Sequence, residues 1–314
     1  MPQPKVHLVR HAQGFHNLGF EFHSLLDPKL TPLGETQCAE LQSTHFPPSA
    51  QQSISLVTAS PLSRTLHTAN LCFGPALKNG KCQPTILAIP DAQETSDFPC
   101  DTGSDVDVLH AIVQEQNWPT DLSLVKDGWN VKTLQNRYSP AGDAIKRRAR
   151  DARLLLRQKA RELHAANDEA VEIVLVAHGA YMHYISGDWE DAAKFTSTGW
   201  ENCEFRTYNF AADFLRDTDA DALFVETTES RRRRGKNHPM IDHERQVALC
   251  EEMMQAWEDQ GCQNPSKLNV LPSEAAAQQL VKAEQEAPLD FQGQDTAAQG
   301  LGLKKVNSEV EVMA

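Results

Sequence analysis

Three short stretches deliver nucleophilic and cationic side chains where an apolar run ends. Val6-His7-Leu8-Val9 passes into Arg10-His11 and a loop containing Gly14. Ile54-Ser55-Leu56-Val57-Thr58-Ala59 passes into Ser60-Pro61, with Arg64 a turn later, and Glu172-Ile173-Val174-Leu175-Val176-Ala177 ends at His178-Gly179. Two guanidinium groups, Arg10 and Arg64, can grip phosphate oxygens through forked, charge-assisted hydrogen bonds. A neutral His11 imidazole between them can attack phosphorus in line. His178, if protonated, adds charge to the equatorial oxygens where negative charge gathers during phosphoryl transfer. Backbone N–H groups of a helix starting after Gly179 supply further donors. The chemistry still needs a proton for the leaving alkoxide, from a carboxylic acid or a water held by one.

These groups must be brought together by strand–helix alternation. Residues 6–10 read as the first, central strand, and Thr31-Pro32 opens a helix to about Gln42 with Thr31 as N-cap. A strand at 54–59 enters a helix near 62–72, with Ser60-Pro61 as a second cap-plus-proline start, and a third strand lies near 85–89. Residues 91–139, with a short helical piece near 104–116, read as an insertion over the carboxyl edge of the sheet. Ser139-Pro140 opens the longest helix, about 140–166, with Ala141, Ile145, Ala152, Leu156 and Leu163 on one face and a solvated Arg/Lys face opposite. Strands follow at 172–177, 205–210 and 222–226, then a helix over about 240–259. The expectation is a three-layer α/β/α fold with a mostly parallel central sheet, binding its ligand beyond the strands' carboxyl ends. Residues 1–263 would form the catalytic domain. Residues 264–314, rich in Ala, Gln and Glu, would be a weakly helical or disordered tail.

A formal net charge of −13 argues against nonspecific nucleic-acid or anionic-membrane binding, so any anion site must be a local cationic pocket. No apolar run approaches the roughly 18 residues of a membrane span, and no hydrophobic segment follows the N-terminus as in a secretory signal. The seven cysteines (38, 72, 82, 100, 203, 250 and 262) are scattered, with no CxxC. They read as reduced thiols of a cytoplasmic or nuclear protein, with neither a disulfide framework nor a zinc site.

The stretch Leu8-Val9-Arg10-His11-Ala12-Gln13-Gly14-Phe15-His16-Asn17 resembles the RHG signature of the histidine phosphatase superfamily, the phosphoglycerate mutase-like proteins. Leu30-Thr31-Pro32-Leu33-Gly34-Glu35-Thr36-Gln37 is similar to its LTxxGxxQ helix entry. Ala59-Ser60-Pro61-Leu62-Ser63-Arg64-Thr65-Leu66-His67-Thr68-Ala69 is similar to its SPLxRTxxTA block, and Val176-Ala177-His178-Gly179 closes the set. All four occur in family order over about 1–226. Val225 through Gly235 looks like a segment of fungal members.

The resemblance implies a metal- and cofactor-independent phosphomonoesterase acting on a small phosphorylated metabolite. It makes His11 the nucleophile, Arg10, Arg64 and His178 the phosphate pocket, and Asn17 a further phosphate ligand. It places the proton donor at Glu94, with Asp91 and Asp97 as nearby alternatives. Ala12 stands where the family has Gly, a change the loop tolerates only at negative φ, and Gln13 where it often has Glu. No ERHYG-like segment is present, which favours hydrolysis over a phosphoglycerate-type mutase. A silent phospho-ligand binder, or recruitment to a biosynthetic pathway, are the remaining readings. His16, His23 and His183 are candidates to line the cavity. His238 and His243-Glu244 lack metal-site spacing, and Arg231 to Arg234 read as a solvated loop.

Overall fold

The computed structural model describes residues 3–167, 169–192, 198–259 and 263–286. A seven-stranded sheet has the order β4-β3-β2-β5-β1-β6-β7. Its strands are β1 (Lys5–Arg10), β2 (Ile54–Ala59), β3 (Ile86–Ala88), β4 (Thr120–Asp121), β5 (Glu172–Ala177), β6 (Phe205–Phe210) and β7 (Phe224–Glu226). The pairs β1/β5, β2/β5, β2/β3 and β3/β4 are parallel, and β6 runs antiparallel to both β1 and β7. The middle strand is therefore β5 rather than β1, which lies beside it. The two-residue β4 has no pattern in the sequence long enough to betray it.

Alternation along the strands feeds two cores, one on each face. Val6 and Leu8 of β1 and Ile173, Leu175 and Ala177 of β5 pack with Ile145, Ala149, Ala152 and Leu156 of α4 (Gly142–Asn167), and with Tyr181 and Met182 of α5 (Gly179–Ser186). Val9, Val174 and Val176 face Cys38 and Leu41 of α1 (Pro32–Thr44), Leu66, Ala69 and Cys72 of α2 (Ser63–Phe73), and Leu109 of α3 (Val106–Glu115). This is the expected three-layer arrangement. Two further helices, α6 (Thr228–Arg233) and α7 (His243–Asp259), follow the sheet, and Met253 and Met254 of α7 join the α4 side. An α8 (Pro272–Glu286) occupies the start of the tail, where Ser273 donates from N and Oγ to the Asp97 carboxylate. The remainder of the tail, 287–314, lies outside the described residues, as do Cys262 and 193–197.

Three readings of polar residues are corrected. Arg148, Arg153 and Arg157 of α4 are buried, not solvated. Arg148 donates to the carbonyls of Asp91 and Glu94, Arg153 to those of Asp221, Tyr184 and Ile185, and Arg157 to that of Asp219. A guanidinium has five donors, so it can satisfy several loop carbonyls that no strand or helix pairs. Likewise Arg231 is buried against Glu190 and Glu226, Arg234 pairs with Asp191, and Arg233 lies 3.8 Å over the Phe205 ring. Of that run only Arg232 and Arg233 are exposed. Ser60 does not cap α2. The carboxylate of Asp27 does so, accepting from Ser63 N and Oγ at 2.8 Å each.

The α1 entry clamps the loop after β1. Thr31 caps its own helix by accepting from Gly34 N, and its hydroxyl donates to Gln13 Oε1 at 2.8 Å. Thr31 N donates to Gln13 O, and Gln37 Oε1 accepts from Gln13 N. Gly34 is required by this close approach, because a Cβ there would sit 2.2 Å from Gln13 O. Gly34→Ala should therefore lower stability by about 1–3 kcal/mol, the usual range for overpacking. A urea midpoint equal to wild type would contradict it.

Candidate active site

The carboxyl ends of β1, β2 and β5 converge and bring together four predicted side chains, Arg10 and His11 from β1, Arg64 after β2 and His178 after β5. His11, one residue past β1, is 1% exposed, and its ring centroid lies 5.2 Å from that of His178. Its Nδ1 donates to the Ala12 carbonyl at 2.7 Å, and Arg64 Nε donates to its Nε2 at 3.2 Å. Those two bonds fix the neutral tautomer with the proton on Nδ1 and the lone pair on Nε2. Burial, with Arg64, His16 and Arg10 adding to it, holds the His11 pKa well below its usual value.

Arg64 comes from the first turn of α2 and is fully buried. Its Nη2 donates to His178 Nδ1 and to Asp101 Oδ1, both at 3.1 Å, and its Nη1 donates to Cys100 O at 2.6 Å. His178 Nδ1 is thus an acceptor, so Nε2 carries the proton and donates to Ser60 Oγ at 2.9 Å. Burial first, then Arg64 and His11, push the His178 pKa well below the usual range. In this state His178 is neutral, in contrast to the protonated form the chemistry could use.

Arg10 donates from Nη1 to Trp200 O, while its Nε is buried without a partner among the described residues, as is Nδ1 of His16. His16 stands 5.4 Å from His11, ring to ring, and burial pushes its pKa down to about 2. Asn17 Oδ1 accepts from Gly14 N, and Asn202 Nδ2 donates to His11 O at 3.0 Å. Ala12 is not among the residues with positive φ, so the Gly-to-Ala change costs the backbone nothing.

Glu94 is buried, and its carboxylate sits at the start of α5. It accepts from Thr95 N at 2.9 Å, Tyr181 N at 3.1 Å and Ala180 N at 3.4 Å. Burial and then Asp101 raise its pKa, against the N–H donors and Arg64 that lower it. The nearby alternatives lie elsewhere: Asp91 pairs with Arg137, and Asp97 is taken by Ser273. Gly179, beside them, packs against Thr198, whose Oγ1 would lie 2.3 Å from an added Cβ.

Of the other histidines, His23 packs between Phe20 and Phe98. His183 stacks on Trp189 and bonds the carbonyls of Asp188 and Thr198 through its two nitrogens, so it is structural. Sequence reasoning missed two residues here. Asp101 touches Arg64, and buried Lys132 donates to the carbonyls of Glu94, Ser96 and Asp101, so it shapes the loop that carries Glu94. Neither has periodicity or motif to mark it; a basic residue inside a Pro/Gly-punctuated insertion is the sole signal.

The mostly parallel sheet carries an edge cluster of two arginines and three histidines, the α/β arrangement of one protein class. The sequence profile of the histidine phosphatase superfamily (branch 1) matches residues 6–216, and the chain belongs to that family. A phosphoglycerate mutase-like protein of Arabidopsis thaliana is 26% identical over 238 residues, covering 64% of this chain and 82% of that protein. Phosphoglycerate mutase-like protein 2 of the same plant is 41% identical over 90 residues, 26% of each chain. Among solved structures, the ecdysone phosphate phosphatase of Bombix mori in complex with tungstate is similar at a TM-score of 0.48 and 15% identity, covering 66% of this chain and 89% of that one.

Burial of neutral imidazoles makes stability pH-dependent. His11, His16 and His178 all have folded pKa values below the ordinary 6.5, so below about pH 6.5 the unfolded chain binds protons that the folded chain refuses. Each contributes up to about 1.4 kcal/mol of lost stability per pH unit. Urea midpoints should fall steeply between pH 7 and pH 5, and a flat profile would contradict the neutral assignment.

Proposed function

We propose that the chain hydrolyses phosphomonoesters of small metabolites through a phosphohistidine on His11 Nε2. The observation that carries this reading is the proton placement at His11: Nδ1 is committed to the Ala12 carbonyl, leaving the Nε2 lone pair beside the Arg64 guanidinium. A phosphoryl group entering there replaces Asp101 and the two imidazole nitrogens as the acceptor for Arg64. Arg10, with its unpartnered Nε, adds a second guanidinium, and Asn17 and the Gly179 N–H complete the cradle, the Ala180 and Tyr181 N–H groups being held by Glu94.

In the first step Nε2 forms the P–N bond as the P–O bond to the leaving group breaks. Glu94, whose raised pKa lets it keep a proton, gives that proton to the departing oxygen. In the second step water attacks phosphorus, the P–N bond breaks, and the Glu94 carboxylate takes the water's proton. A bound dianion favours a proton on His178, so this residue becomes a cationic ligand only with substrate present. Residues 1–263 act as the catalytic unit, with the α7 methionines completing its core.

His11→Ala should reduce turnover on the order of 10⁴-fold or more and abolish acid-labile labelling by substrate phosphate. Full activity in that variant would sink the mechanism. Glu94→Gln should lose about 10²–10⁴-fold on an alkyl phosphate but little on a nitrophenyl phosphate, whose leaving group needs no proton. Asp101→Asn should show no such dependence on leaving group. The opposite ranking would move the proton donor from Glu94 to Asp101.

A further inference from the structure

Directly behind the nucleophile, three cysteines from distant parts of the chain meet. Cys38 comes from α1, Cys72 from α2 and Cys203 from the turn before β6, and their sulfur atoms all lie within 4.8 Å of one another. Cys38 and Cys72 are fully buried. Cys203 is half-buried and lines a surface cavity of about 390 Å³ shared with His45, Glu204, Phe205 and Arg233. That cavity gives a small ion a route to the trio. Cys203 also holds a left-handed backbone, φ +59°, which a β-branched or bulky residue would resist. It is kept there by N–H donation to the carbonyls of Arg10, at 3.2 Å, and His11, at 3.4 Å.

We propose that Cys38, Cys72 and Cys203 form a trigonal three-thiolate site for a soft d¹⁰ cation, with Cu⁺ as the best-fitting ion. A metal bound to sulfur at about 2.3 Å sets its sulfurs about 4 Å apart in a trigonal plane, a contraction of less than an ångström from what is present. The donor set is all thiolate, which selects soft ions over Mg²⁺, Ca²⁺ or Mn²⁺. A disulfide joins two sulfurs and leaves the third idle, whereas three sulfurs all within 4.8 Å of one another suit a single ion. Binding replaces three S–H protons with three metal–sulfur bonds and releases those protons to solvent. Because Cys203 N holds the carbonyls of Arg10 and His11, occupation stiffens the turn beneath the catalytic pair and takes no part in phosphoryl transfer.

The test is titration of the reduced full-length protein with Cu⁺ against a chromogenic Cu⁺ chelator, followed by X-ray absorption at the copper edge. One equivalent per chain, held by three sulfurs at about 2.3 Å, is expected. Cys203→Ser should weaken uptake at least tenfold, and Cys82→Ser, outside the trio, should leave it unchanged. Cys38→Ser removes a buried core thiol, so Cys203→Ser, at the half-buried corner, is the deciding variant, with circular dichroism confirming its fold. Uptake that persists unchanged in Cys203→Ser, or no uptake by the folded wild-type protein, would overturn the proposal.

Discussion

The structure depends on one buried charge. The Arg64 guanidinium is removed from water and must be fully paired to be tolerated there. It meets that requirement with bonds to His11, His178, Cys100 O and Asp101, so the ends of β1 and β5 and the 91–139 insertion are all fixed to α2 by a single side chain. Every other feature of the site supports that placement. Asp27 anchors the start of α2 through Ser63, Thr68 of α2 accepts from Ala12 N, and Lys132 collects the carbonyls of the loop that brings Asp101. In this acidic protein Arg10 and Arg64 are brought to one edge and tied there to backbone carbonyls.

The parts of the site legible in the sequence were those attached to regular elements. Arg10, His11 and His178 each follow an apolar run long enough to read as a strand, and Arg64 sits a fixed distance after another. Parallel packing then brings those ends to one edge without further information. The Thr31–Gln37 entry was recognisable as a helix start, yet its purpose was not: the cap, the glycine and the glutamine all grip Gln13, and only coordinates show three residues converging on one loop peptide. Asp101, Lys132 and Asp27 were illegible because each lies outside the helices and strands the sequence marks, with its partner 31–37 residues away and no period to relate them. The buried arginines of α4 and of the 231–234 run misled for a different reason. A charged residue on a helix is usually solvated, but here unpaired loop carbonyls and the carboxylates of Glu190, Asp191 and Glu226 demand donors inside.

The cysteines show the same limit. Spacing alone gave no cluster, since 34 residues separate Cys38 from Cys72 and far more separate either from Cys203. The α1–α2 contact and the turn before β6 create the trio, so it is a property of the tertiary fold. Its position is set by the same geometry that seats His11, because the Asn202–Cys203 turn closes on the carbonyls of Arg10 and His11.

The pairing of Arg64 also bears on what the pocket selects. In the structure its donors are shared among two imidazole lone pairs, a carbonyl and one carboxylate. A ligand that merely matches the carboxylate's single charge gains little by displacing it, since the guanidinium is already satisfied and the displaced Asp101 must be solvated again. A phosphomonoester dianion brings two charges and three acceptor oxygens. It can occupy Arg64 and the orphaned Arg10 Nε together while drawing a proton onto His178. Under the proposed phosphomonoesterase function, the resting ion pair would act as a charge filter, rejecting monoanionic carboxylates and sulfate esters in favour of phosphate. On that proposal the same filter accounts for a carboxylate lying a hydrogen bond away from the guanidinium proposed to bind the phosphoryl group.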